Sequence, residues 1–297
     1  MAPAKAGKTA PNASSGRRSR FLDSRPAGRR FRLLTFEDRA LATRVTPGQY
    51  VYLTEPQPPG VLLPGLAVAG FDRLNGTFDL RLATDPPQPG CAALLGLREG
   101  DSVSFSGPLG RGFQIDARSR YLLIVADRAG LGRVRSIVDE AVSSGRQVTL
   151  LYGADSAADV FPSTLLRDEV EYLVATADGS LGHQGPVTDL VAAYEAWADQ
   201  CFAAGAPELI SRMSVLARGR TERMGVALLG RRRSRHASRP APDPRRRAWL
   251  QIALPHPAGC LLGVCLGCVV TGASAPQRAC REGPAFAADE LRWDSAP

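Results

Sequence analysis

The apolar run Tyr-Leu-Leu-Ile-Val-Ala at residues 121–126 is followed directly by Asp-Arg-Ala-Gly-Leu-Gly at residues 127–132. A continuous apolar run of this length is typical of a strand that is buried on both faces of a sheet. The glycines behind it lead into a helical pattern that continues to Ser143. Strand and helix patterns continue to alternate, which predicts a doubly wound parallel sheet. Further strands are predicted at Gln147–Tyr152, Glu171–Thr176 and Gln200–Ala204, and a further helix at Pro207–Leu216.

The chain before this stretch has a different pattern. Between Phe31 and Phe113, short apolar runs are separated by turn sequences such as Pro47-Gly48 and Asn75-Gly76. Short strands at this spacing predict a small antiparallel β-barrel. The fold class is therefore multi-domain, with a β domain followed by an α/β domain. The predicted division is a disordered basic tail at 1–28, the barrel at 29–116, the α/β domain at 117–216, an Arg/Pro-rich linker at 217–248 and a cysteine module at 249–297.

The net charge of +8 comes mainly from arginine. The arginines are concentrated in the N-terminal tail and in the proline-containing segment 231–247. Neither region places aromatic side chains between the charges, as proteins that bind single-stranded nucleic acid do, so nucleic acid is not an expected partner. No apolar run is long enough to cross a bilayer, and residues 1–20 lack the apolar stretch of a signal peptide. These patterns predict a cytoplasmic protein without a membrane partner.

Four of the six cysteines lie close together near the C-terminus, with the spacing Cys260-x4-Cys265-x2-Cys268-x11-Cys280. Clustered cysteines in a chain without an export signal indicate a metal site before disulfides. The first three match the plant-type [2Fe–2S] pattern, in which a fourth cysteine follows at a distance. The sequence therefore predicts a [2Fe–2S] cluster held by these four thiolates.

Small residues surround the predicted ligands. Glycines at 259, 263 and 267 allow several sulfurs from one segment to converge, because glycine tolerates positive φ and close approach of the backbone. The alternative is a zinc site with four cysteine ligands, but zinc ribbons generally use two separate C-x2-C pairs and this chain has only one. Cys91 and Cys201 stand alone and are predicted to be packing residues.

Four stretches, taken in order, resemble the electron-transfer subunit family of NAD-linked dihydroorotate dehydrogenase. That family belongs to the ferredoxin–NADP reductase superfamily, in which a flavin-binding barrel precedes a nucleotide-binding α/β domain, here with a C-terminal [2Fe–2S] module. The resemblance covers the chain from about residue 30 onward. It is carried by Pro47-Gly-Gln-Tyr-Val51, Gly107-Pro-Leu-Gly-Arg-Gly-Phe113, Asp178–Gly185 with Val187-Thr-Asp189, and Cys280-Arg-Glu-Gly-Pro-Ala-Phe286.

The resemblance implies an oxidoreductase subunit of pyrimidine biosynthesis. Electrons would pass between a catalytic dihydroorotate dehydrogenase subunit and NAD through the cluster and FAD. It implies no catalytic residue in this chain, which would not be a stand-alone catalyst. The residues implied to hold the flavin are Leu66, Gly107, Pro108, Leu109, Gly110 and Gly112.

The nucleotide motifs depart from the family pattern. The family's Arg-Pro-(Leu/Phe/Tyr)-Ser is replaced by Pro64-Gly-Leu-Ala67, and its Gly-Thr by Gly90-Cys91. The family has a glycine run after the first α/β strand, but residues 126–130 here include Asp127, which brings a carboxylate to a phosphate position. The family's Cys-Gly-Pro is replaced by Ala204-Gly-Ala206. Weak NAD binding is therefore expected. The alternatives are a diverged relative that keeps only the cluster, as an electron relay or structural partner, and a zinc-stabilised binding module.

Overall fold

The computed structural model describes residues 17–54, 65–87, 90–230, 248–255 and 263–292. They form a closed six-stranded barrel, a seven-stranded sheet and a two-stranded C-terminal hairpin. The barrel and the parallel α/β arrangement that the sequence predicts are both confirmed. None of the helices in the described residues is long and apolar enough to span a membrane.

The barrel is antiparallel, and its strands alternate between buried and exposed side chains. In β5 every second side chain from Phe78 onward points into the barrel and is buried. Phe36, Phe78 and Phe105 meet at the centre, with ring centroids 5.2–5.7 Å apart. The strands close in the order β1-β2-β5-β4-β3-β6. The elements are β1 (Arg17–Pro26), β2 (Phe31–Glu37), α1 (Arg39–Arg44), β3 (Tyr50–Leu53), β4 (Leu66–Asp72), β5 (Thr77–Ala83), α2 (Ala92–Leu95) and β6 (Ser102–Leu109).

The prediction of a disordered tail at 1–28 is wrong for the part that is described. Residues 17–26 form β1, which pairs with both β2 and β6 and closes the barrel. The strand alternates, since Ser19 and Phe21 are buried while Arg18 and Arg20 are exposed. The many arginines in this segment made its strand-like alternation of buried and exposed side chains hard to recognise in the sequence. Residues 1–16 lie outside the described part of the chain.

The second sheet is parallel except at one edge. Its order is β10-β9-β8-β7-β11-β12-β15, with apolar cores on both faces. The apolar run 121–126 lies in the central strand β7 and is buried from Leu122 to Ala126. The elements are β7 (Tyr121–Asp127), α3 (Leu131–Ser143), β8 (Gln147–Ala154), β9 (Val170–Thr176), β10 (His183–Gln184), α4 (Val191–Tyr194), β11 (Gln200–Ala204), α5 (Pro207–Gly230) and β12 (Leu250–Ala253).

The predicted start of the 217–248 linker is also wrong. Helix α5 continues from Pro207 to Gly230 instead of ending at Leu216. The extension is fastened to the α/β domain, because Arg220 lies 4.8 Å from the centroid of the Trp249 ring and donates to the Glu195 carbonyl oxygen. Residues 231–247 lie outside the described ranges.

The C-terminal region is continuous with the α/β sheet. The predicted module boundary at 249 falls just before β12, which pairs in parallel with β11 and so belongs to the sheet. Antiparallel to β12 lies β15, which follows the cysteines. The remaining strands β13 and β14 form a separate hairpin. These last elements are β13 (Val269–Val270), β14 (Gln277–Arg278) and β15 (Ala285–Ala287).

A buried arginine joins the barrel to the α/β domain. Arg135, on α3, lies 3.3 Å from the Asp79 carboxylate on β5 and donates to the Ala69 carbonyl oxygen on β4. The same guanidinium lies 3.4 Å from Asp139, one turn further along α3. Its side chain is only 10% exposed, so the two domains are connected by a nearly dry ion pair.

Candidate metal centre and nucleotide sites

The β13–β14 hairpin brings two of the predicted cluster ligands together. Cys268 precedes β13 and Cys280 follows β14, and the Ala279 N–H donates to the Cys268 carbonyl oxygen over 2.9 Å. Both of these cysteines are buried, whereas Cys265 is exposed. Cys260 lies in residues 256–262, outside the described part of the chain.

Two of the glycines lie near sulfur atoms. A Cβ atom added to Gly263 would lie 3.5 Å from the Cys280 Sγ, and one added to Gly267 would lie 3.7 Å from the Cys265 Sγ. Between Cys265 and Cys268 the backbone is left-handed at Leu266, with φ of 57°. Cysteine thiolates are the usual ligands of iron–sulfur clusters, and glycines lie beside the sulfur atoms of Cys265 and Cys280.

The four-ligand set remains a prediction. Within 17–54, 65–87, 90–230, 248–255 and 263–292, no group of three or more His, Cys, Asp or Glu side chains lies close enough to hold a metal ion. Cys260, the first of the predicted ligands, is not in these ranges. The packing roles predicted for the two isolated cysteines are confirmed, because Cys91 is 1% and Cys201 0% exposed within apolar cores.

An ion pair braces the cysteine hairpin. The Arg278 guanidinium forms two hydrogen bonds with the Glu282 carboxylate, of 2.6 and 3.1 Å, and the Arg278 backbone N–H forms a third, of 2.8 Å. The guanidinium also donates to the Gly263 carbonyl oxygen. The bonds to Arg278 lower the pKa of Glu282 to about 2. The pKa of Arg278 is raised, first by Glu282 and then by the charges of Cys280 and Cys268. This places a fixed positive charge beside the predicted thiolate ligands.

The loop at 107–113 meets the cysteine hairpin. Gly110 has φ of 81°, and an added Cβ atom would lie 2.6 Å from the Gly283 carbonyl oxygen and 2.8 Å from the Tyr50 ring. The Arg111 N–H donates to that same carbonyl, and the Arg111 side chain lies 2.5 Å from Glu290. Tyr50 donates from its hydroxyl to the Cys280 carbonyl oxygen over 3.0 Å. One end of the barrel is thus joined to the segment that carries the predicted ligands.

The residues implied to hold a flavin gather around β3. Leu66 pairs with Val51 on one side of this strand, and Leu109 pairs with Tyr50 on the other. In the loop at 107–113, the backbone N–H groups of Arg111 and Phe113 donate to the carbonyl oxygens of Gly283 and Pro47. The role of Leu66, Gly107, Pro108, Leu109, Gly110 and Gly112 toward a flavin stays a prediction.

The turn after β7 does not fit a dinucleotide. The Asp127 carboxylate accepts hydrogen bonds from the backbone N–H groups of Ala129, Gly130 and Ala206, at 2.7–2.8 Å. These amides are the groups that a pyrophosphate would use at the start of a helix. The sequence predicted a carboxylate at a phosphate position, and in the structure this carboxylate accepts from all three of these N–H groups.

Sequence reasoning did not identify the residues that connect the hairpin to the barrel. Tyr50 was recognised only as part of a barrel motif and Arg111 only as part of the junction loop. Their contacts join positions 230 and 179 residues apart. Nothing in local periodicity indicates such a pair.

Comparison with known proteins agrees with this architecture. Residues 258–292 match the family model of the iron–sulfur cluster binding domain of dihydroorotate dehydrogenase B. The electron transfer subunit of dihydroorotate dehydrogenase B (NAD(+)) from Listeria monocytogenes is 24% identical over 84% of this chain and 88% of that protein. Its counterpart from Desulforamulus reducens is 26% identical over 88% of this chain and 92% of that protein.

A solved structure supports the fold. An NADH-dependent reduced ferredoxin–NADP oxidoreductase, studied for flavin-based electron bifurcation, superposes with a TM-score of 0.71 at 20% identity. The match covers 95% of this chain and 92% of that one. The chain thus has the fold of that oxidoreductase, its residues 258–292 match the iron–sulfur cluster binding domain of dihydroorotate dehydrogenase B, and most of its length is similar to that enzyme's electron transfer subunits.

Proposed function

We propose that the chain is the electron-transfer subunit of a dihydroorotate-type dehydrogenase, with a [2Fe–2S] cluster and FAD as its carriers. The observation that carries the proposal is the hydrogen bond from the Tyr50 hydroxyl to the Cys280 carbonyl oxygen. It joins the strand at the centre of the predicted flavin site to a predicted cluster ligand. Electron transfer requires the two carriers to be held at a fixed distance and orientation, and this hydrogen bond would help to hold them so.

Cys260, Cys265, Cys268 and Cys280 would hold the cluster, which supplies one-electron transfer when bound. The chain's own residues set its surroundings. Glycines at 263 and 267 allow the backbone to lie close to the sulfurs, and Arg278 adds a positive charge beside Cys268 and Cys280. Both features bear on the reduction potential, because hydrogen bonds and nearby charge tune such clusters.

The partner is proposed to be a catalytic subunit that oxidises dihydroorotate. The relatives are named as one subunit of an enzyme that uses NAD(+). The complex would act in pyrimidine biosynthesis in the cytoplasm, as the sequence predicts. Co-purification from its own cell extract tests this. We expect a flavoprotein dehydrogenase to be retained, and a chain that always elutes as a monomer without partner would contradict the proposal.

The cofactor content distinguishes this proposal from the zinc alternative. Protein purified without oxygen should contain about two irons and two acid-labile sulfides per chain, with bound flavin and a visible iron–sulfur spectrum. Stoichiometric zinc without sulfide would refute the cluster. Iron and sulfide without flavin would instead support the diverged relative that keeps only the cluster.

A further inference from the structure

Asp127 lies where a doubly wound domain binds its ligand. The central strand β7 has β8 on one side and β11 on the other, so the direction of strand addition changes between β7 and β11. The crevice outside the carboxyl ends of strands at such a switch point is the usual ligand site. Asp127 is the last residue of β7, and Ala204, the last of β11, lies beside Ala126 in the sheet.

The Asp127 carboxylate bridges this crevice. Its Oδ1 accepts from the N–H groups of Ala129 and Gly130, both at 2.8 Å, at the start of the 13-residue helix α3. Its Oδ2 accepts from the N–H of Ala206 at 2.7 Å, just before α5. One side chain therefore uses the anion-binding amides of two helix starts, one on each side of the crevice.

The two turns are in contact, which leaves no opening between them. A Cβ atom added to Gly130 would lie 1.7 Å from the Ala204 carbonyl oxygen. One added to Gly205 would lie 2.8 Å from the Asp127 Oδ2. A pyrophosphate could reach these amides only if it displaced the carboxylate.

Two half-buried arginines donate to backbone carbonyl oxygens of the turns next to the carboxylate. Arg133 donates to the Gly205 carbonyl oxygen at 3.0 Å, and Arg81 donates to that of Arg128 at 2.7 Å. Burial lowers the pKa of both guanidinium groups to about 10, and the charge of Asp127 opposes this shift in each. In the described part of the chain, the buried Nε atoms of Arg133 and Arg81 have no hydrogen-bond partner. The Asp127 carboxylate lies between these two turns, and its charge acts on both guanidinium groups.

We propose that Asp127 is a built-in substitute for the dinucleotide phosphates, so that the chain does not bind NAD(H) in the switch-point crevice. The proposal rests on the proposed function, because it concerns which molecule finally accepts the electrons that the chain transfers. That acceptor is then not a nicotinamide dinucleotide held at this turn, and electrons leave the chain from the barrel or the cysteine hairpin.

Titration calorimetry of the full, cofactor-loaded chain tests this with NADH and with ADP-ribose, which lacks the nicotinamide. Wild type should bind neither ligand at sub-millimolar concentration. Asp127→Gly should bind both at least about tenfold more tightly, because the helix amides and arginines are then free for phosphate. Asp155→Asn is the control. Asp155 is a nearby carboxylate, 3.3 Å from Arg128, and its replacement should change nothing.

Asp127→Asn serves if the glycine variant does not fold. It keeps the size of the side chain but removes its charge and one of its two acceptor oxygens, so at least one of the three backbone N–H groups loses its acceptor and the variant should also gain affinity. Micromolar NADH binding by wild type overturns the proposal whatever the variants do. So does a folded Asp127→Gly protein that binds no better than wild type. Iron and sulfide contents are measured on the same samples, so that a missing cluster, which contradicts the proposed function, is recognised separately.

Discussion

The Tyr50 hydroxyl donates a hydrogen bond of 3.0 Å to the Cys280 carbonyl oxygen, across 230 residues of chain. Tyr50 is 2% exposed and Cys280 is 7% exposed, so water does not compete for this bond. A hydrogen bond in a dry environment fixes the relative position of two segments more firmly than one on the surface. The strand β3 is thereby held against a predicted cluster ligand.

Tyr50→Phe should loosen this connection without emptying the barrel core, because only the hydroxyl is lost. A buried carbonyl left without its donor costs about 1–3 kcal/mol. We expect iron to be lost faster to a chelator and the cluster midpoint potential to shift. Tyr52→Phe is the matched control, since Tyr52 lies on the same strand with its ring 5.6 Å from that of Tyr50. Equal rates of iron loss in both variants would show that the Tyr50 hydrogen bond does not hold β3 against the Cys280 segment.

Cys265→Ser should abolish the cluster, whereas Cys91→Ala should retain it. A serine oxygen is a poor substitute for a thiolate on iron, and Cys265 is the exposed member of the predicted set. Cys91 is buried in the barrel, where burial raises its pKa to about 11, so it remains a neutral thiol. Iron and sulfide per chain are the measurement. The ligand assignment fails if both variants lose iron to the same extent.

The sequence predicted the parts of this fold that depend on local pattern. The run 121–126 is a buried strand because six apolar residues in a row leave no polar face. The strand at 17–26 was missed because its alternation is carried by arginine and serine, whose composition indicates disorder. The continuation of α5 beyond Leu216 was missed because the contacts of Arg220 with Trp249 and Glu195 come from outside the helix.

The candidate sites also differ in how far the sequence predicts them. The predicted cluster ligands could be recognised from the sequence because their spacing lies within one short segment of the chain. Asp127 could be recognised as a misplaced carboxylate, but its bond to the Ala206 N–H joins two turns 79 residues apart. Its role as a bridge depends on β7 and β11 being neighbours, which strand order alone decides.

Gly110→Ala should separate the cysteine hairpin from the barrel. Gly110 and Gly100 both have positive φ, of 81° and 92°, so alanine at either position carries a backbone cost of about 1–2 kcal/mol. At Gly110 the new methyl group also meets Gly283, Pro284 and Tyr50 within 2.8 Å, whereas at Gly100 it meets nothing within 4 Å. This overpacking adds about 1–3 kcal/mol.

The two alanine variants are compared by thermal unfolding and by limited proteolysis. Gly110→Ala should lower the unfolding temperature more than Gly100→Ala and should expose the C-terminal segment to cleavage. Gly100→Ala should show only the smaller backbone effect. If both variants unfold at the same temperature and resist cleavage equally, the loop at 107–113 does not hold the hairpin.

Arg135→Met should weaken the junction between the barrel and the α/β domain. It removes the cation but leaves Asp79 and Asp139, which are 16% and 23% exposed, without their shared partner. Burial raises the pKa of Asp139, and Arg135 opposes that rise, so the variant leaves a partly buried carboxylate without its cation. Breaking a buried pair from one side costs about 3–5 kcal/mol, and we expect the lower end because some solvent access remains.

Arg73→Met is the control, because Arg73 joins the same two domains through Glu140 at 2.8 Å but is 43% exposed. An exposed pair contributes at most about 1 kcal/mol, so urea should unfold Arg135→Met at a clearly lower concentration than Arg73→Met. Equal midpoints would show that burial adds nothing to the Arg135 pair.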